Sequence, residues 1–412
     1  AGRPTPQHPG ALDMRAFVIF AGLALIGAMT FTILSFSAAP APGPVADQPF
    51  TETLQDRLKR LPGDYRGWAQ LASQYVDQAR TTGDPSYYTK AEGAIATAAK
   101  LKAEDDAVLT GQAALAAGRH EFAEAVRLAE RAIDVNPYGA PAYGVLADAR
   151  TQLGDLRGAR RAVDEMLGLR PGVAAFARAS YAAELRGDTA KAREYLEMAQ
   201  NDAWQPADLA YARYYLGELA LHSGDLATAA GWYAKALQAY PGYTPALAGQ
   251  ARTAALSGRL TEALGLYQSV VERLPLPQYL IEQGETRIKA GRPADWTLLR
   301  AQRELFRAAG VRDDLTWAEF EADHGDPARA VEHARAEYAR NPNLVAADAL
   351  AWALFRAGKP AEALPYAEKA TATGWRNPLL KYHRATIEQA LGRSVKVDAG
   401  FDPTLSALAR FS

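Results

Sequence analysis

Histidines and loop carboxylates are the residues through which this chain could do chemistry. There are six histidines in 412 residues. Glu321 and His324 stand three apart on one expected helix, a spacing that lets a carboxylate and an imidazole reach one metal ion. Two ligands do not close a site, and no second cluster stands at ligand spacing, so the pair reads as a solvated helix end with a histidine near the C-terminal dipole. His120, His222 and His324 fall at or beside expected turns, His333 and His383 on helices, and His8 in the N-terminal tail. Asp188, Asp225 and Asp326 are the acids from which a loop-built catalytic site would have to be made, yet each stands where a helix should start. No GxSxG elbow, HExxH helix or phosphate-binding GxxxxGK[ST] occurs. Cysteine is absent, which removes disulfides, thiolate zinc sites, a cysteine nucleophile and a lipidated cysteine. No catalytic, metal-binding or cofactor-binding residue is assigned, and an enzyme is not expected.

The elements that would position any site are set by a repeat. Gly154, Gly187, Gly224, Gly258, Gly291, Gly325, Gly358 and Gly392 share one register, with steps of 33 to 37 residues. Self-similarity at that period marks a helical solenoid. Five places after the glycine comes alanine in six copies: Ala159, Ala192, Ala229, Ala263, Ala330 and Ala363. Several units close on proline, as at Pro137, Pro171, Pro241, Pro275 and Pro342. Each unit therefore reads as two short amphipathic helices. Glycine ends the first in a left-handed turn, small residues allow close approach, and proline stops the second.

This pattern resembles the tetratricopeptide repeat family over roughly residues 65–392. The likeness is strongest in Ala140 to Gly172, with Tyr143, Leu146, Ala147, Ala159 and Pro171; in Ala210 to Tyr243, with Leu216, Gly217, Ala220, Ala229, Tyr233, Ala236 and Pro241; and in Thr244 to Pro277. Trp68, Leu71, Ala72 and Tyr75 open the first repeat. The expected fold is all-α: a right-handed superhelical solenoid of about nine helix-turn-helix repeats, preceded by one transmembrane helix. Departures from the pattern carry expectations of their own. The first repeat has an insertion around Thr81 to Tyr88, and His120 stands where a turn glycine belongs. Asn201 to Asp208 should form an enlarged loop. Trp296, where alanine belongs, should splay its two helices or change the local curvature. Residues from Pro378 to Leu391 should cap the last repeat.

In such proteins the first helix of each unit lines the concave face, which commonly grips a peptide or a partner's helix. By phase, that face takes in Asp148, Thr151, Gln152, Leu221, Glu285, Lys289, Arg312, Glu319, Trp352 and Arg356. Its tyrosine-rich middle supplies the candidate partner-binding residues: Tyr181, Glu184, Tyr211, Tyr214, Glu218 and Arg252. Tyrosine and arginine combine apolar area with a polar tip and anchor interfaces well. Repeat cores also use tyrosine to fill gaps, and that alternative stays open. The lysine and asparagine clamp by which some members hold a C-terminal carboxylate is missing.

The domain plan that follows is a short tail (1–15), a transmembrane signal anchor (16–36), a Pro/Ala-rich linker (37–50), the solenoid with its capping helix (51–393) and a C-terminal tail (394–412). Ala16 to Phe36 is almost wholly apolar and, as a helix, reaches about 30 Å, the thickness of a bilayer core. Arg3 and Arg15 precede it and no basic residue follows until Arg57, which puts the N-terminus in the cytoplasm. The alternative is a signal peptide cleaved near Ser35-Phe36-Ser37. Pro40, Pro42, Pro44 and Pro49 make the next stretch a semi-rigid spacer. Leu405, Leu408 and Phe411 stand at helical spacing in the tail and should pack back on the cap or serve as a docking segment.

A net charge of −1 and the lack of a basic run give no push toward nucleic acid, and no small-molecule substrate is expected. The expected function is a non-enzymatic scaffold for protein or peptide partners, held at a bacterial inner membrane with its solenoid on the extracytoplasmic side. Two alternatives are a secreted binder and an accessory subunit of an envelope enzyme, transport or cytochrome-maturation complex.

Overall fold

The computed structural model describes residues 49–397 and 402–409. The expected anchor at 16–36 and the spacer up to residue 48 lie outside them. Among the described residues there is no strand, and no helix is long and apolar enough to cross a membrane.

A leading helix, α1 (Pro49–Arg60), is followed by nine hairpins. They are α2 (Tyr65–Thr82) with α3 (Ser86–Leu101), α4 (Asp106–Gly118) with α5 (Phe122–Val135), α6 (Ala140–Gln152) with α7 (Leu156–Leu169), and α8 (Val173–Glu184) with α9 (Thr189–Asp202). Next come α10 (Pro206–His222) with α11 (Leu226–Ala239), α12 (Thr244–Leu256) with α13 (Leu260–Arg273), and α14 (Pro277–Lys289) with α15 (Thr297–Ala308). The series ends with α16 (Asp314–His324) and α17 (Pro327–Arg340), α18 (Leu344–Arg356) and α19 (Pro360–Ala370), and a single helix α20 (Pro378–Ala390). A short 3-10 segment spans Pro403–Ala409.

The register residues act as their spacing implies. Seven of the eight glycines adopt a positive φ; six of them end the first helix of a hairpin, and Gly392 follows the single helix α20. The alanines five places on are buried to within 3% of their surface, so the two helices of a hairpin meet without side chains between them. Asp155, Asp188, Asp225 and Asp326 each cap the second helix of their hairpin by accepting a backbone N–H. This places the three acids considered for a loop site in helix starts.

Two local expectations come out differently. Asn201 to Asp208 is not an enlarged loop. Pro206 stands at the first position of α10, where its missing N–H is no loss, and the extra residues lengthen that helix to 17. The first-repeat insertion is likewise absorbed by an 18-residue α2 that ends at left-handed Gly83. Trp296 does loosen its hairpin: α14 and α15 pack together less than any other pair. The indole lies against Gly284, where a Cβ would come within 2.1 Å of the ring.

The superhelix closes on itself. Three successive hairpin turns dock on three successive inter-repeat linkers one coil later. Arg119 Nε donates to the Ala309 carbonyl, Asn343 Nδ2 to the Gln152 carbonyl and Trp375 Nε1 to Glu184, across 190, 191 and 191 positions of sequence. At the start of the chain one apolar core joins residues of α1 to α4 with residues of α12 to α15. Further along, Leu185, Trp375, Leu380 and Ala347 form an apolar seam between coils, with Leu156, Tyr181 and Leu344 at its edge.

Candidate functional site

The first helices of the hairpins are tied together on their inner side by buried acid–base pairs. Arg178 grips Asp148 through two parallel bonds of 2.9 and 2.8 Å, both side chains being about 3% exposed. Glu184 pairs with His222. Arg252 bridges Glu218, at 3.1 Å, and Glu282, at 3.0 Å. Glu285 accepts from His324 Nε2 at 2.9 Å, and Asp348 from His383 Nδ1 at 2.8 Å. Asp323 accepts from Trp352 Nε1 and Arg356. The pairs run from α6 to α20, each joining one hairpin to the next.

Their chemistry is that of a structural ladder. Buried ion pairs add little net stability, but removing one partner leaves an unpaired charge in low dielectric. Tyrosines complete the central pair: Tyr233 OH donates to Glu218 at 2.6 Å and Tyr267 OH to Glu282 at 3.0 Å. Burial lifts the Glu282 carboxyl to about 7, against the opposing pull of the Arg252 guanidinium. Tyr233 also explains two glycines, because a Cβ at Gly217 or Gly249 would meet its ring within 2.6 Å.

The six residues proposed from sequence fall into two places. Tyr211, Tyr214, Glu218 and Arg252 are contiguous on α10 and α12. Tyr214 reaches Arg252 Nη1 at 3.5 Å and meets Tyr215 with ring centroids 5.0 Å apart, and Tyr215 meets Tyr211 at 4.7 Å. Glu218 and Arg252 are each 1% exposed, so they lie beneath the surface as ladder members. Tyr181 and Glu184, on α8, lie at the seam between coils, where Glu184 also accepts from Trp375. His222, His324 and His383 were missed as partners, although each follows its carboxylate by 35 to 39 residues, one repeat period plus a turn. Glu321 and His324 do not converge: Glu321 accepts the Asp326 backbone N–H while His324 faces Glu285. Among the described residues no group of three or more His, Cys, Asp or Glu is placed to hold a metal.

Beside the ladder lies a strip of tyrosines. Tyr211, Tyr215 and Tyr243 are half-buried, and Tyr243 packs edge-on to Tyr214 with centroids 5.9 Å apart. Burial raises all three hydroxyls above the usual tyrosine range, so they stay neutral donors. Arg80, on α2, lies within electrostatic reach of these hydroxyls and pairs with Asp77 at 3.5 Å. Burial pushes the Asp77 carboxyl up to about 6, with Arg80 and Arg178 opposing it.

A closed superhelix of hairpins with an internal charge ladder defines a repeat scaffold. The tetratricopeptide repeat family model matches residues 108–174 and 186–244 of the chain. Two of the three segments singled out from sequence lie inside those stretches, and the third lies beyond them. No curated protein matches the chain. Among solved structures, a thermophilic tetratricopeptide repeat protein of Thermus thermophilus is 21% identical, with 46% of this chain and 97% of that one covered and a TM-score of 0.40. The Cut9–Hcn1 hetero-tetramer of the APC/C is 15% identical over 74% of this chain and 52% of its own, at 0.44. PilW, a type IV pilus biogenesis factor, is 18% identical over 55% and 96%, at 0.40.

Proposed function

We propose that this protein is a non-enzymatic scaffold that holds a protein or peptide segment in the lumen of its superhelix. It acts outside the cytoplasm of a bacterial cell, tethered to the inner membrane by residues 16–36. The observation that carries the binding reading is the half-buried strip of Tyr211, Tyr215 and Tyr243, joined by ring contacts through Tyr214, within reach of the charge of Arg80 and its partner Asp77. Rigid aromatic area beside a charged pair is what an interface anchor needs, and the ladder underneath holds it in place. The tether rests on the apolar run and its charge asymmetry.

Binding is tested by crosslinking and capture from native membranes. Parent protein is compared with a Tyr211→Ala, Tyr215→Ala variant that melts at the parental temperature. Loss of one stoichiometric partner supports the strip; capture of the same set by both proteins overturns it. Arg252, though part of the sequence-based site, is left intact because changing it would test folding. Topology is tested with a cysteine at Tyr138, 80% exposed in an otherwise cysteine-free chain. Labelling of intact cells by an impermeant reagent supports the extracytoplasmic placement, and labelling only after lysis rejects it.

A further inference from the structure

The 3-10 segment near the C-terminus does not pack chiefly on the capping helix. It crosses to the middle of the solenoid and lies against α14 and α12. Leu405 and Leu408 are completely buried there, in one apolar cluster with Leu280, Ile281, Trp317 and Phe320. Ser406 and Ala407, between the two leucines, are recognised by polar groups. Glu285 accepts the Ala407 backbone N–H at 2.8 Å. The Ser406 hydroxyl sits between Glu285, at 3.1 Å, and Asp323, at 2.9 Å. Lys289 pairs with Asp402 at the segment's start.

Each of these contacts is of the kind that binds a separate peptide. Two leucines three positions apart fill an apolar cleft, a small hydroxyl residue faces two carboxylates, and a buried carboxylate reads a main-chain N–H. The segment is 121 or 122 positions from Glu285 in sequence and adds no hairpin to the repeat. Glu285 is 1% exposed with the segment in place, and without it the carboxylate would lose its bonds to Ser406 and Ala407 and keep that to His324. An emptied cleft would expose Leu280, Ile281, Trp317 and Phe320 where Leu405 and Leu408 now cover them.

We propose that the inner face of α12, α14 and α16 is a peptide-recognition site whose tethered ligand is residues 402–409. A partner segment of the same chemistry, leucine–small hydroxyl residue–alanine–leucine, replaces it. The site is separate from the tyrosine strip and goes beyond the binding reading given above. Tethering sets the threshold for exchange. A ligand tethered over a short span is presented at an effective concentration in about the millimolar range, so a free peptide competes in the intact protein only near that concentration.

The test uses full-length protein and a fluorescent peptide of the sequence Asp402 to Ala409, read by anisotropy. In the parent, half-saturation is expected at about millimolar peptide. A Leu405→Asp, Leu408→Asp variant should bind at least tenfold more tightly, because its own tail has left the cleft. Adding Glu285→Gln should weaken that binding, and a scrambled peptide should not bind. If the double variant does not fold, Ala407→Pro removes the N–H that Glu285 reads and frees the tail with both leucines intact. Failure of a folded tail-released variant to bind, or equal binding by parent and variant, overturns the proposal.

Discussion

His120 donates its Nδ1 proton to the Arg312 carbonyl at 3.0 Å, across 192 positions of sequence. Where other hairpins turn on glycine, this one holds His120 at a φ of 62°. A side chain in that conformation costs about 1–2 kcal/mol. The histidine recovers that cost by stacking on Phe122, with centroids 5.5 Å apart, and by joining the second hairpin to the linker before α16. Burial drives the imidazole's pKa down to about 4, so the ring stays a neutral donor at physiological pH. The turn is therefore also a clasp between coils.

The two roles of His120 separate in two variants. His120→Ala keeps the backbone strain and loses the clasp, for a destabilisation of about 1–3 kcal/mol. His120→Gly loses the clasp but relieves the strain, and should be more stable than the alanine variant by about 1 kcal/mol. Chemical denaturation of both gives the order directly. An alanine variant as stable as the glycine variant would show that the turn is unstrained.

Glycines in one register differ in what surrounds them. Gly187 has a φ of +78°, and a Cβ there would lie 2.4 Å from the Gly374 carbonyl of the next coil. Gly258 has nearly the same φ, +77°, but nothing within 4 Å of that position. Gly258→Ala should therefore cost only the conformational strain, about 1–2 kcal/mol. Gly187→Ala must also part the coils and should cost clearly more. Equal melting temperatures for the two variants would mean that the coils do not touch at this seam.

Arg252 serves two carboxylates at once, and all three groups are almost fully buried. Arg252→Ala should destabilise the solenoid by about 3–5 kcal/mol, since it leaves Glu218 and Glu282 without their cation. Replacing the set together, as Arg252→Met with Glu218→Gln and Glu282→Gln, should recover most of that loss. A thermal melt of the single and triple variants checks both. A single variant as stable as the parent would remove the ladder from the account of how hairpins are joined.

The hairpins were legible because each rests on local chemistry: a left-handed glycine, an alanine five places on, a proline at the end. Gly325 shows how narrow that signal is. It keeps the register but has a φ of −135°, and a Cβ there would sit 1.9 Å from the Glu321 carboxylate. This glycine serves close approach rather than a left-handed turn. The phase also put Tyr211, Glu218 and Arg252 on the first helices of their hairpins, and they lie on α10 and α12. It did not distinguish a side chain facing the lumen from one facing the next helix, because the two directions are less than one helical turn apart. The clasp between coils was not legible at all: its partners are about 190 residues apart, and no periodicity links His120 to Arg312. The tail's burial was half legible, its leucines at the right spacing but its cleft set by carboxylates far upstream, Glu285 and Asp323.

The raised pKa of Glu282 makes stability depend on pH with a definite sign. Its carboxyl titrates near 7 in the folded protein, against an ordinary value of 4.5. Between those values the folded state holds a proton that the unfolded state has released, so stability falls as pH rises through the window. Below 4.5 both states are protonated and the contribution vanishes; above about 7 both are ionised and the full loss is present. Glu282→Gln keeps the shape of the neutral acid and cannot titrate. The variant should match the parent most closely below pH 4.5, gain on it up to about pH 7 and hold a constant lead above that, as followed by denaturant unfolding at each pH. Parallel curves for the two proteins would mean that Arg252 holds Glu282 ionised throughout, and that the ladder's central link is an ion pair even in acid.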